Sequence, residues 1–355
     1  MAGTGKIKVL IVDDSAVIRQ LLTGIIAGND DMEVVGTAAD PYIARDKIKQ
    51  LSPDVITLDV EMPRMDGITF LKNLMRLRPM PVIMISTLTE AGADTTLEAL
   101  QIGAFDYVAK PKQNLGKGLA EYEQEISAKI RAAAGANLRC LEASALRQRP
   151  QAVKVPDKIS GYQPRPGQII AIGASTGGTE AIKTVLLGLP ANCPPVVVTQ
   201  HIPPQFSTSY ALRMNDTCAM NVHEATNQQK LLPGNVYIAP GDRHLKLRKG
   251  PNGLVTQLDD SDRVNLHRPS VQVMFDSVLE QGLHNTVGVL LTGMGTDGAS
   301  ALLRMKEAGC HTIIQDEATS VVWGMPGAAF RLGAGDEVKP LDTIAGRLLQ
   351  LTNKH

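Results

Sequence analysis

Three carboxylates, a hydroxyl and a lysine in the N-terminal part of the chain stand where apolar runs end. Asp13 and Asp14 follow Val9-Leu-Ile-Val12, Asp59 follows Val55-Ile-Thr-Leu58, Ser86 follows residues 82–85, and Lys110 follows residues 107–109. Taken singly, Asp13 or Asp14 reads equally well as a helix cap. Taken together, carboxylates gathered on one edge repel one another and call for a divalent cation, and an all-oxygen ligand set favours Mg²⁺ or Mn²⁺. A carboxylate nucleophile, a hard cation and a lysine suit phosphoryl transfer, where positioning and charge neutralisation supply the catalysis.

A second group lies further along. Gly173-Ala-Ser-Thr-Gly-Gly178 satisfies G-x-S-x-G between an apolar run and a helical pattern. Its glycines permit a tight turn that exposes Ser175, and N–H groups at the helix start can face an oxyanion. Alone, the turn serves equally well as a phosphate-binding loop or a plain connection. His201 follows the run at 196–200, and Asp297 lies just past the run at 287–291. Serine, histidine and aspartate then share one rim, where His201 takes the Ser175 proton and Asp297 orients the imidazole. Asp242 and Asp316 remain rivals to Asp297. His223, His244, His267, His284 and His311 read as surface or satisfied core residues. The order Ser, His, Asp differs from that of α/β-hydrolases, so the motif does not import that fold.

Both rims presuppose parallel strands. Residues 8–12, 33–37, 55–58, 82–85 and 107–109 read as strands, with helices at 15–27 and 41–50 and a closing helix at 115–134. Regularity fails over 135–167, where prolines and glycines mark a linker that is at most partly helical near 138–146. Strand patterns resume at 169–172, 195–198, 236–239, 244–248, 287–291 and 312–315, with helices at 179–188, 207–215, 271–281 and 299–308. The runs at 236–239 and 244–248 flank Pro240-Gly241-Asp242 and suggest an antiparallel hairpin. The expected class is α/β with two doubly wound parallel-sheet domains: a flavodoxin-like βα5 unit, then a three-layer αβα hydrolase. The expected boundaries are 1–134, 135–167 and 168–355.

Composition narrows the function. Among 355 residues, 36 Lys plus Arg balance 36 Asp plus Glu, which argues against bulk binding to nucleic acid. Four scattered cysteines have no metal-like spacing and read as reduced thiols. Val9–Val12 runs straight into two aspartates, unlike a signal peptide, and no apolar run spans a bilayer. A cytoplasmic protein without direct membrane insertion is expected.

Val12-Asp-Asp-Ser15, Leu58-Asp-Val-Glu-Met-Pro-Arg-Met-Asp-Gly67 and Lys110-Pro111 resemble a bacterial response-regulator receiver. The resemblance implies Asp59 as phospho-acceptor, Asp14 and Asp59 on Mg²⁺ with Asp13 acting through water, Ser86 as switch hydroxyl and Lys110 on the phosphate. Thr87 offers a neighbouring hydroxyl. Gly173-Ala-Ser-Thr-Gly-Gly178, Gln200-His-Ile-Pro-Pro204 and Leu291-Thr-Gly-Met-Gly-Thr-Asp-Gly298 resemble the chemotaxis protein-glutamate methylesterase family (CheB), as do Ala239-Pro-Gly-Asp242 and Arg268-Pro-Ser270. That resemblance implies hydrolysis of glutamyl methyl esters on methylated chemoreceptors, with deamidation of receptor glutamines and a chemotaxis histidine kinase as phosphodonor. Ser175 would be nucleophile, His201 base and acid, Asp297 the orienting carboxylate and the Met294 N–H an oxyanion donor, with no cofactor for ester hydrolysis. It also implies that the unphosphorylated receiver restrains the hydrolase. The rival functions are a receiver fused to a ligand-binding or DNA-binding module, and an esterase acting on small molecules or another protein.

Overall fold

The computed structural model describes residues 5–87, 89–110, 119–137, 140 and 161–354, so Pro111, residues 115–118 and most of 135–167 lie outside the described residues. The chain divides into two compact units, Met1–Gln151 and Ala152–His355. No helix among the described residues is long and apolar enough to cross a membrane.

In the first unit β1 (Ile7–Val12), β2 (Met32–Ala38), β3 (Val55–Asp59), β4 (Val82–Ser86) and β5 (Asp106–Ala109) alternate with α1 (Ala16–Ala27), α2 (Pro41–Leu51), α3 (Gly67–Leu77), α4 (Glu90–Ile102) and α5 (Leu119–Ala134). The strands pair in the order β2-β1-β3-β4-β5, all parallel. Val9, Leu10, Ile11 and Val12 are fully buried, as expected for a central parallel strand covered on both faces. The strand order reverses between β1 and β3, and in such sheets ligands bind beyond the C-terminal strand ends at that switch point. Asp13 and Asp59 stand there because the chain leaves β1 and β3 at their positions. Ser15, not Asp14, caps α1, accepting the Ile18 N–H at 3.4 Å.

The second unit contains β6 (Ile169–Ala174), α6 (Gly178–Leu187), β7 (Val196–Gln200), α7 (Pro204–Thr217), β8 (Asn221–Glu224) and β9 (Asn235–Ile238). Then come β10 (His244–Gly250), β11 (Gly253–Asp259), α8 (Val271–Glu280), β12 (Thr286–Leu290), α9 (Ala299–Glu307), β13 (His311–Gln315), α10 (Met325–Arg331), β14 (Glu337–Lys339) and α11 (Leu341–Thr352). Seven strands pair in parallel in the order β14-β13-β12-β6-β7-β9-β8. On one face Ala171, Val197, Leu290 and Ile314 share a core with Met274 and Phe275 of α8 and Leu302 and Met305 of α9. Ile170 and Ile172 alternate to the opposite side, where α6 and α11 pack together.

The hairpin expected across Pro240-Gly241-Asp242 does not form. β9 joins the parallel sheet between β7 and β8, and β10 pairs instead with β11. Burial explains the difference. Val236, Tyr237 and Ile238 are all buried, as in a strand covered on two faces. β10 alternates, burying Leu245 and Leu247 while Arg248 and Lys249 face outward, the pattern of a half-buried ribbon. β8 and β14 escape the sequence reading because they are short, polar edge strands.

Gly67 begins α3 tightly against the end of β3, where a Cβ would lie 2.1 Å from the Asp59 carbonyl oxygen. Gly67→Ala is therefore expected to destabilise the first unit by roughly 1–3 kcal/mol, because backbone must move. Urea unfolding followed by circular dichroism measures this, and an unchanged midpoint would contradict the packing.

Candidate active sites

The second unit assembles its polar site from three adjacent strand ends. Ser175 follows β6, and Gly177 takes a left-handed φ of 75° to start α6, with no room for a side chain against Val321. The Ser175 N–H donates to Thr292 O at 3.0 Å, tying the turn to the end of β12. Gln200, the last residue of β7, donates through Nε2 to the carbonyls of Ser175 (2.9 Å) and His201 (3.1 Å). One side chain thereby fixes both backbones that carry the pair.

The His201 Nδ1 lies 3.1 Å from Ser175 Oγ, and its Nε2 lies 2.8 Å from Asp297 Oδ2. Asp297 is 1% exposed, yet its carboxylate is richly solvated by protein. Oδ1 accepts from Asn265 Nδ2 at 2.7 Å, Ser270 Oγ at 2.8 Å and Gln272 N at 3.3 Å, while Oδ2 accepts from Val271 N at 2.6 Å. The last two backbone donors belong to the first turn of α8, whose dipole also favours an anion there. Burial alone would push the Asp297 carboxyl up, but the His201 bond and charge, with the Asn265 and Ser270 bonds, hold it down at about 2. An ionised carboxylate only accepts, so Nε2 carries the imidazole proton. Nδ1 is left to accept the Ser175 hydroxyl proton, the reverse of the nitrogen assignment in the chymotrypsin arrangement.

The sequence-expected Ser175, His201 and Asp297 are thus brought together, and the rivals are not. Asp242 pairs with Arg268 at 2.9 Å, and Asp316 accepts the Thr319 N–H at 3.0 Å. Met294 follows Gly293, where a Cβ would meet Ser175 Cβ at 2.8 Å, so the Met294 backbone borders Ser175. Among the described residues no acceptor is found for its N–H. Asn265, Ser270 and Gln200 escaped the reading as site residues. Only Ser270 and Gln200 carried a signal, each lying inside a motif already noted. His267, read as a surface or core residue, instead stacks on His201 with centroids 3.6 Å apart and planes inclined by 15°.

In the first unit Asp13, Asp14 and Asp59 each bring an oxygen within 4.8 Å of the others. Asp13 and Asp59 are buried, Asp14 exposed. Lys110 Nζ lies 2.7 Å from Asp59 Oδ2 and 3.6 Å from Asp13 Oδ2. Burial pushes the Asp59 carboxyl up to about 6, helped by the Asp13 charge and opposed by Lys110. Burial also raises Asp13, against Lys110. Among the described residues, buried Asp13 Oδ2 has no hydrogen-bond donor closer than the Lys110 ammonium at 3.6 Å. Hard oxygen donors with this much unneutralised charge fit a small divalent cation. Ser86 is buried beside them, but its Oγ accepts from Thr96 Oγ1 of α4 at 2.7 Å.

Residues 170–348 match the family model described as CheB methylesterase, and residues 9–117 match the response regulator receiver domain. The chain is 56% identical over 344 residues to a Saccharophagus degradans protein named protein-glutamate methylesterase/protein-glutamine glutaminase 2, covering 97% of this chain and 98% of the relative. A like-named Xanthomonas oryzae protein is 53% identical over 355 residues, covering 98% and 97%. The solved Thermotoga maritima CheB methylesterase catalytic domain is similar with a TM-score of 0.50 and 38% identity, covering 54% of this chain and 100% of that one.

The Asp297 geometry sets a pH dependence. A carboxyl lowered from 3.8 to about 2 stabilises the fold fully above pH 3.8 and loses that contribution as pH falls through about 2. Asp297→Asn should cost about 2 kcal/mol at neutral pH, and the gap to the native protein should shrink to roughly half by about pH 3. Urea midpoints of the two proteins across that window measure it; a constant gap would contradict the account.

Proposed function

Because this chain belongs to the CheB methylesterase family and carries a response-regulator receiver domain ahead of the catalytic unit, we propose that it hydrolyses glutamyl methyl esters on chemoreceptors under control of Asp59 phosphorylation. The observation that carries this reading is the hydrogen-bonded run Ser175–His201–Asp297 inside the segment similar to CheB. Ser175 Oγ attacks the ester carbonyl while its proton passes to His201 Nδ1. The tetrahedral intermediate expels methoxide, which takes that proton and leaves as methanol. A glutamyl ester remains on Ser175. Water then attacks it, giving a proton to Nδ1, and collapse returns that proton to Ser175 Oγ and frees the glutamate side chain.

Asp297 stabilises the imidazolium in both halves and holds the tautomer. The Met294 N–H is the proposed donor to the oxyanion, supported by its place beside Ser175. A receptor glutamine presents the same acyl centre, with ammonia leaving in place of methanol. Side chains and backbone carry every step.

In the receiver, Asp59 is the proposed nucleophile toward a phosphohistidine of a chemotaxis kinase. Asp13, Asp14 and Asp59 would hold Mg²⁺, which when bound offsets their charge and that of the incoming phosphoryl group. Lys110, already on Asp59 Oδ2, is placed to pair with a phosphoryl oxygen. Ser86 would exchange its long bonds to the Thr87 and Gly92 carbonyls, at 3.3 and 3.5 Å, for donation to the phosphoryl group, and can still accept from Thr96. Such a pathway places the protein in the cytoplasm, acting on the cytoplasmic part of its receptors.

Methanol release from methylated receptor tests the hydrolase. Ser175→Ala, His201→Ala and Asp297→Ala are each expected to lower it by on the order of 10³-fold or more, with strongly non-additive combinations. Full activity in Ser175→Ala would refute the nucleophile. For the receiver, acetyl phosphate with Mg²⁺ should label the native chain and raise its ester hydrolysis. Asp59→Ala should show neither effect; undiminished labelling in that variant would refute the acceptor.

A further inference from the structure

We propose that His267 is a positioning residue of this site, holding the His201 imidazole by its face in the orientation that aims Nδ1 at Ser175. The proposal rests on the reading of His201 as the base. Both nitrogens of His201 are engaged at the ring edge, by Ser175 Oγ and Asp297 Oδ2. Two edge contacts fix rotation in the ring plane but resist tilt out of it only weakly, because hydrogen bonds tolerate bending. A tilt is resisted by what lies against the faces. His267 lies against one, at 3.6 Å and 15°.

The chain bearing His267 is built to deliver it. Val264 and His267 exchange two backbone hydrogen bonds, Val264 N to His267 O at 3.1 Å and His267 N to Val264 O at 3.0 Å. Between them Asn265 and Leu266 adopt φ values of 52° and 69°, a turn with two successive left-handed residues, neither of them glycine. Such a turn is strained and persists where its surroundings over-determine it. Its tip does not supply the compensation, since Leu266 is 75% exposed. Its flanks do. Asn265 donates to Asp297 Oδ1 at 2.7 Å, and His267 stacks on His201. One turn thus steadies both partners of the nucleophile.

The stack also has a chemical consequence. His201 becomes cationic as it takes the Ser175 proton, and a neutral His267 ring against its face would stabilise that cation more than the neutral imidazole. The effect belongs to the transition state and should enter kcat, not KM.

The test uses the full chain with acetyl phosphate and Mg²⁺ present throughout. A fluorophosphonate reports the rate at which Ser175 is labelled, and a peptide glutamyl methyl ester gives kcat and KM. The labelling rate reads the Ser175–His201 pair directly, so it separates this proposal from the substrate assignment above. His267→Ala is expected to slow labelling and kcat each by about tenfold with KM unchanged, and His267→Phe, which keeps an aromatic face, to restore most of both. Melting temperatures identify any variant that has lost the fold. Native rates in His267→Ala would overturn the proposal, as would a folded His267→Phe as slow as the alanine variant.

Discussion

A carboxylate that is almost wholly buried and yet stays ionised is the constraint around which the hydrolase unit is arranged. Taking Asp297 out of water costs several kcal/mol unless protein donors replace the lost solvation. The structure replaces it from every side: the first turn of α8, the Ser270 hydroxyl, the Asn265 amide and the His201 imidazole. These donors require α8 to begin where it does, the chain before it to turn sharply at Asn265, and the loop between β12 and α9 to bring Asp297 to both. Once the carboxylate is anionic, the tautomer of His201 follows, and with it the direction of the hydrogen bond between Ser175 and His201. The parallel sheet contributes by placing the ends of β6, β7 and β12 side by side.

The receiver inverts that arrangement with the same residue type. Asp59 is also buried, but its neighbours include a second buried carboxylate, and its cationic partner among the described residues is Lys110. Its carboxyl rises to about 6 where that of Asp297 falls to about 2. Environment, not residue type, divides the roles. A carboxylate supplied with donors is a fixed charge suited to holding a neighbour. A carboxylate short of them is a high-energy anion, suited to gathering a cation.

The legible part of both sites lay at strand ends. Asp13, Asp59, Ser175 and His201 stand at the end of a largely apolar strand and Asp297 in the loop just past one, and a doubly wound sheet brings such positions to one rim. The supporting residues were hidden because loops carry them. Asn265 and His267 sit in a turn whose second left-handed residue is Leu266, not the glycine that completes the usual signal, so Asn265 alone marks it only weakly. The mistaken hairpin has a related cause. β9 and β10 are close in sequence and both strand-like, and only burial on two faces versus one separates them. Thr96 was hidden in a different way: a threonine within a helix gives no sign that its hydroxyl reaches Ser86.

Nitrogen-15 NMR of the full chain with labelled histidines, His201 being assigned by its loss in His201→Gln, measures the tautomer on which this account turns. The arrangement requires the His201 proton on Nε2, bonded to Asp297 and strongly downfield, with Nδ1 showing the shift of an unprotonated ring nitrogen. A neutral His201 with its proton on Nδ1 would contradict it, since the ring would then present a donor to Ser175 and no base.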